Sequence, residues 1–337
     1  MNRRAFLLTS LLTVPFQARA QSEVRPKPVF SFPRDHGAHP GFRTEWWYVT
    51  GWLEEGSQPI GFQVTFFRAH PGADEANPSN FTPRQILLAH AAIADPRRGH
   101  LVYEQRAARA GFSLAGAGKD RTDVWIDDWR LEEEVGKGAE PDRYRASIPG
   151  RELDFDLQCT AREIVLQGEG GFSRKGFRPG EASYYYSRPQ MEVAGQVNGR
   201  DVKGTAWLDH EWSSAYLAPE AEGWDWCGIN MLDGSSLMAF RIRDREGGVH
   251  FAPPGVSFTP LRMWKSPRTG ITYPVSMSVA SQGRSFELKP LMDDQELDAR
   301  TGAGTIYWEG AVRAFEGDRE VGRGYLELTG YGKPMKL

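Results

Sequence analysis

The chain has 337 residues, with 41 Lys and Arg against 44 Asp and Glu, for a formal net charge of −3. That near balance excludes the basic footprint of a nucleic-acid-binding protein, and the body contains no run of about 20 apolar residues that would form a membrane helix. A hydrophobic share of 40%, rich in Trp and Phe, suits a globular chain with room for two domains of about 150 residues each.

Residues 1–20 read as an export leader. Arg3 and Arg4 form a basic start, residues 5–14 a short apolar run, and Ala18-Arg19-Ala20 a small-x-small cleavage site. The string Arg3-Arg4-Ala5-Phe6-Leu7 has the form of a twin-arginine signal, the route for proteins exported already folded. The expected location is therefore the periplasm or the exterior. Residues 21–40 are Pro-rich and polar, a flexible lead-in. From Glu45 onward the pattern is β. In residues 61–66, Phe62, Val64 and Phe66 share one face and Gln63 and Thr65 the other. Further strands are predicted at 44–53, 85–94, 122–131, 153–159 and 162–168, and residues 101–110 are the best helix candidate. The second half repeats the style, with strands predicted at 190–197, 201–212, 225–232, 235–243, 257–264, 274–280, 284–289, 304–313 and 321–331. Asp233-Gly234 between two apolar runs predicts a type I′ hairpin turn. Many short strands punctuated by turns indicate an all-β chain of two tandem antiparallel barrels. Their expected bounds are 41–212 and 213–337, joined through the Ser/Ala/Pro-containing stretch 213–222. Small barrels either fill their interiors with side chains or enclose one apolar ligand, and the aromatic content suits both.

The most informative run is Gly204-Thr205-Ala206-Trp207-Leu208-Asp209-His210-Glu211-Trp212. In an extended strand Trp207, Asp209 and Glu211 point one way, and Leu208, His210 and Trp212 the other. Two carboxylates roughly 7 Å apart, from a rise of about 3.3 Å per residue, with a titratable His between them, do not suit an ordinary core strand. The alternative for Asp209 and Glu211 is a solvated outer face or pairing with arginines on a neighbouring strand. In Glu45-Trp46-Trp47-Tyr48, Glu45 and Trp47 share a face. Ser183-Tyr184-Tyr185-Tyr186-Ser187 supplies three phenols as hydrogen-bond donors or aromatic walls. Trp224-Asp225-Trp226 sets a carboxylate opposite two indoles. The expected role of Glu309 and Glu327, each one position from an apolar neighbour, is a salt bridge inside a barrel or at its rim.

No G-x-S-x-G nucleophile motif and no Walker or Rossmann glycine pattern in a strand–helix context occurs. The spacings of His36, His39, His70, His90 and His210 match no standard metal site, so neither metal nor cofactor is expected. Cys159 and Cys227 are the only cysteines. In an oxidising compartment they are candidates for a disulfide, and the lack of a CxxC excludes a thiolate zinc site or redox motif.

Taken together, the segments 44–48, 184–187, 207–212, 224–226, 307–310 and 324–331 resemble the secreted AttH-like proteins of the carotenoid 1,2-hydratase (hydroxyneurosporene synthase) superfamily. The resemblance runs in consistent order from about residue 40 to the C-terminus. It implies two lipocalin-like barrels in tandem. It also implies cofactor-free chemistry: the hydratases add water across a terminal double bond of an acyclic carotenoid, and relatives of this fold catalyse cyclisations. The hydratases' key His and Trp correspond to His210 and Trp212, and Asp225 and Asp233 compete for their catalytic Asp. The export leader separates this chain from the membrane enzymes of pigment synthesis and argues against carotenoid itself as substrate.

The expected function is thus a cofactor-independent hydratase or cyclase acting on an isoprenoid-like or other apolar molecule. The alternative is a periplasmic carrier of such a molecule, with peripheral membrane contact or an export-system partner. Asp209 or Asp225 would be the acid, Glu211 or His210 would orient water, and Trp207, Trp212 and Trp224 would form cation-stabilising walls. Glu45, Trp47 and Tyr185 complete the expected ligand site.

Overall fold

The structure is a computed structural model that describes residues 22–332, apart from 57, 73–76, 80, 301 and 303. The predicted leader, residues 1–20, therefore lies outside the described residues. Among these, thirteen strands form a first sheet: β1 (Thr44–Glu55), β2 (Gln58–Ala69), β3 (Ile86–Ala94), β4 (Val102–Arg109), β5 (Ala115–Ala117), β6 (Asp123–Ile126), β7 (Trp129–Glu134), β8 (Arg143–Ile148), β9 (Phe155–Thr160), β10 (Val165–Leu166), β11 (Phe172–Arg174), β12 (Ala182–Val197) and β13 (Arg200–Ala215). Nine form a second: β14 (Ala221–Met231), β15 (Ser236–Asp244), β16 (Val249–Phe251), β17 (Ser257–Lys265), β18 (Thr272–Ser281), β19 (Arg284–Pro290), β20 (Glu296–Ala299), β21 (Thr305–Glu316) and β22 (Arg319–Leu328). All pairings are antiparallel, and the protein is all-β.

The first sheet runs β4-β3-β2-β1-β13-β12-β9-β8-β7-β6-β5, and β3 and β4 approach β6 to make a nearly closed barrel. The second runs β16-β15-β14-β22-β21-β19-β18-β17 and forms a half-barrel. Alternation explains the first interior: Trp47, Val49, Phe62, Val64, Phe66 and Leu208 point inward and are fully buried. Burying each Phe contributes roughly 1.5–3 kcal/mol before chain entropy is counted. This interior is filled by side chains.

In the central stretches of β1, β2 and β13 consecutive residues are buried, not alternate ones. The reason is that the outer face of the barrel packs against the outer face of the second sheet. Tyr48, Trp52 and Trp207 from the first sheet meet Trp224, Trp226 and Tyr325 from the second. Gly61 allows this approach, since a Cβ there would lie 2.6 Å from the Ala311 Cβ and 2.7 Å from the Tyr325 hydroxyl. Polar clamps tie the sheets as well. Trp52 Nε1 donates to the Gly324 carbonyl at 2.9 Å and Asn230 Nδ2 to the Ala206 carbonyl at 3.1 Å. A bulge in β12 places Gln190 at φ 55° and sends its amide to the Met231 and Ser235 carbonyls.

Several expectations are corrected. Residues 101–110 are not helical: their helix-favouring Glu, Gln, Arg and Ala residues lie in β4, where the ladder to β3 overrides local propensity. The strand predicted at 122–131 is two, β6 and β7, broken at Asp127 with φ 58°. Strand β8 and the short strands β5, β11, β16 and β20 have no counterpart among the predicted elements. The Asp233-Gly234 hairpin forms between β14 and β15, but only Gly234 takes a positive φ (86°), so the turn is not type I′. Cys159 and Cys227 are both free, one in the barrel interior and the other in the core of the half-barrel.

Candidate active site

Antiparallel register builds one wall of the intersheet space. Ser187 of β12, Asp209 of β13, Tyr48 of β1 and Thr65 of β2 are successive cross-strand partners. The next outward-facing row is Tyr185, Glu211, Trp46 and Phe67. On the facing sheet, β14 contributes Trp224 and Trp226, and Glu327 of β22 lies directly opposite Glu309 of β21. Between them is a small cavity of about 40 Å³, lined by these groups other than Ser187 together with Gln63 and Tyr216. Four carboxyl groups and several aromatic faces thus converge on one space.

Asp209 is the best-defined group. Its Oδ1 accepts hydrogen bonds from Ser187 Oγ at 2.5 Å and Trp207 Nε1 at 2.7 Å, and its Oδ2 accepts one from the Tyr185 hydroxyl at 2.7 Å. The Tyr185 oxygen accepts in turn from Trp226 Nε1 at 3.1 Å. Burial raises the Asp209 pKa to about 7, with Glu211 adding to the rise and the three donors opposing it. The carboxyl is therefore poised to give or take a proton near neutral pH.

Glu211 meets the Lys175 ammonium at 2.8 Å and accepts from Ser183 Oγ. Burial raises its pKa against both partners, and burial depresses that of Lys175. The ammonium also lies 4.1 Å from the Phe240 ring centroid, a cation–π contact. Glu309 and Glu327 have no cation within ion-pair distance among the described residues, so the expected salt bridges do not form. Burial pushes both carboxyls up, Glu327 to about 7 even though Trp224 Nε1 donates to it at 2.9 Å. Adjacent buried carboxyls cannot both ionise cheaply.

The other sequence candidates lie elsewhere. His210 and Trp212 face the barrel interior with Glu45 and Trp47. His210 Nε2 is 2.9 Å from Glu45 Oε1, its ring stacks on Trp47 at 4.7 Å, and burial drops its pKa to about 4. Trp212 stacks on His39 at 3.7 Å. Glu45 also takes the Arg68 guanidinium at 2.7 Å, and Arg68 and the two histidines outweigh burial to hold it ionised. Asp225 points away from the cavity and is held by Arg241 at 2.6 Å, Arg243 at 3.1 Å and the Tyr331 hydroxyl at 2.9 Å. Of the expected residues, Tyr185, Asp209, Glu211 and Trp224 line the cavity, with Trp207 bonded to Asp209 just behind it.

Two clusters have the donor types of a metal site: His39, Glu45 and His210, and His36, Glu133 and Asp142. Each already contains a guanidinium, Arg68 on Glu45 and Arg188 on Asp142 at 2.5 Å. A further dication would repel it. These clusters read as polar struts of the barrel interior.

The sequence reading missed Glu309, Glu327, Lys175, Gln63 and the hydroxyl of Tyr48. The available signal was Glu309 and Glu327 themselves, each set amid apolar and small residues in the central part of a strand buried on both faces.

Fold and site together define a class: a double-sheet, lipocalin-like protein with a carboxyl-rich aromatic cavity between its two halves. The family model described as AttH-like matches residues 23–331, and the chain belongs to the AttH-like family. It is similar to the crystal structure of an AttH homologue from Nitrosomonas europaea, with 45% identity and a TM-score of 0.84 over 92% of this chain and 99% of that one. It also shares its fold with kievitone hydratase from Nectria haematococca, at 15% identity and a TM-score of 0.61, over 93% and 96% of the two chains. No curated protein matches the chain significantly.

Proposed function

We propose that the protein is a cofactor-independent hydratase or cyclase, exported by its N-terminal leader, that acts in the intersheet cavity on a small, largely apolar molecule containing a carbon–carbon double bond. The observation that supports this most is Asp209, a carboxyl buried among aromatic rings with its pKa near 7. The convergence of Asp209 and Glu211 on a cavity, in place of solvent, favours chemistry over carriage. Kievitone hydratase, of the same fold, is by its name a hydratase.

The chemistry follows from the groups present. Protonated Asp209 gives its proton to one alkene carbon, directly or through the Tyr185 hydroxyl, and the π electrons form the new C–H bond. The positive charge left on the other carbon faces Trp46, Trp224 and Trp226, each such contact worth about 0.5–2 kcal/mol. Water then forms the C–O bond and loses a proton to a cavity carboxylate. Glu327 is suited to accept it, being near its own midpoint at neutral pH. In a cyclisation a second double bond of the substrate attacks in place of water, and the same carboxylate removes the final proton.

The test is native mass spectrometry of the purified protein with identification of co-purifying small molecules, comparing wild type with Asp209→Asn. Wild type is expected to hold a product and the variant its unreacted precursor, lighter by one water for a hydration. If both hold the same molecule and it takes up no label from ¹⁸O-water on incubation, the protein is a carrier and the proposal fails. Export is tested by cell fractionation: replacing Arg3 and Arg4 with Lys should leave the protein in the cytoplasm.

A further inference from the structure

One corner of the cavity is left with unmet hydrogen-bonding capacity. The Tyr48 hydroxyl, Gln63 Oε1 and Glu309 Oε1 are buried polar atoms with no formed hydrogen bond, and all three residues line the cavity. Their residues are 6%, 1% and 1% exposed. Tyr48 and Gln63 face Glu309 closely enough to influence its titration, yet these contacts lack the geometry of a formed bond. Three such atoms in one place are unusual, because each buried polar group left unpaired costs about 1–3 kcal/mol. The corner is also braced. Gln63 Nε2 donates to Thr65 Oγ1 at 3.0 Å, which fixes the amide so that its oxygen stays available.

The Tyr48 hydroxyl and one of the two oxygens are together complementary to a hydroxyl group, which has a single hydrogen to donate. A phenol such as Tyr48 donates, and the amide and carboxyl oxygens accept. A hydroxyl offers one acceptor oxygen and one donor hydrogen. Directly across strands β1 and β13 from Tyr48 stands Asp209, so a group held in this corner lies beside the proposed acid. We propose that Tyr48, Gln63 and Glu309 form a hydroxyl-binding subsite, and that the molecule accepted by the cavity is an alcohol or phenol rather than a pure hydrocarbon. The inference rests on the cavity being the working site. The same hydroxyl chemistry could be supplied by a resident water, and the experiment separates the two sources.

The probes are 2-naphthol and 2-methylnaphthalene, nearly equal in size and differing in the hydroxyl, with binding measured by equilibrium dialysis to wild type, Tyr48→Phe and Gln63→Met. Both substitutions keep volume, and circular dichroism confirms folding. Wild type is expected to prefer the naphthol about tenfold, and Tyr48→Phe to abolish most of that preference. Equal binding of both probes, with an ordered water touching the Tyr48 hydroxyl and one of the two acceptors in a crystal of the methylnaphthalene complex, assigns the corner to water and overturns the alcohol or phenol reading. Equal binding without that water overturns the proposal, as does failure of wild type to bind 2-naphthol at all or a naphthol preference that survives both substitutions. Because the readout is binding, it is independent of turnover. A naphthol preference in a protein that fails the Asp209→Asn mass-spectrometry test would sink the enzyme reading and leave the subsite standing.

Discussion

Replacing Asp209 by Asn should make the protein relatively more stable as pH rises. The folded-state pKa of Asp209 is about 7 against an ordinary value of 3.8. Between these values the folded state binds the proton and the unfolded state does not, so wild-type stability falls as pH increases. A tenfold difference in proton affinity between the two states corresponds to about 1.4 kcal/mol, so the full penalty approaches about 4 kcal/mol above pH 7. Between pH 5 and pH 8 the part that develops is about 2–3 kcal/mol. Asparagine mimics the protonated acid. Its oxygen can accept from Ser187 and Trp207, and its NH₂ can donate to the Tyr185 oxygen once that hydroxyl turns its own hydrogen elsewhere. Urea unfolding of both proteins at pH 5 and pH 8, followed by Trp fluorescence, gives the quantity directly. The variant's stability relative to wild type should improve by about 2–3 kcal/mol over that range. Glu327 senses the Asp209 charge, so part of the gain passes through it. A difference that does not change with pH would mean that Asp209 is ionised in the folded protein, and would remove the basis for assigning it as the acid.

Lys175→Met should destabilise the fold by about 3 kcal/mol, because Glu211 loses the cation that compensates its burial. Adding Glu211→Gln should recover much of that loss in the same urea assay, and no recovery would show that the ammonium acts mainly through its aromatic contacts. The Cys159 and Cys227 thiols, pushed up to about 12 by burial, should not react with a thiol reagent at pH 8 until denaturant is added. Gly61→Val should cost about 1–3 kcal/mol or more through overpacking against Ala311 and Tyr325. An unchanged unfolding midpoint would show that the two sheets separate easily along this face.

Most of the strands were legible because hydrophobic alternation and turn residues are local signals, as in the Phe62-Val64-Phe66 row. The facing of Asp209 and Glu211 opposite His210 was legible too, since strand geometry alone dictates it. Asp225 was misplaced for a different reason. Alternation put it opposite Trp224 and Trp226, but it could not say that the indole face meets the other sheet while the carboxylate meets Arg241 and Arg243.

Sequence by itself therefore determined the fold class, the family and which residues of each strand share a face, because those properties depend on period and local chemistry. Which face becomes a site was decided by tertiary structure. The docking of two outer sheet faces brings Glu309 and Glu327 within one cavity of Asp209, residues about 100 or more positions away in the chain. It removes them from water without supplying a cation. Desolvation, a property of the assembled whole, then raises their pKa values and makes otherwise ordinary strand carboxylates chemically useful.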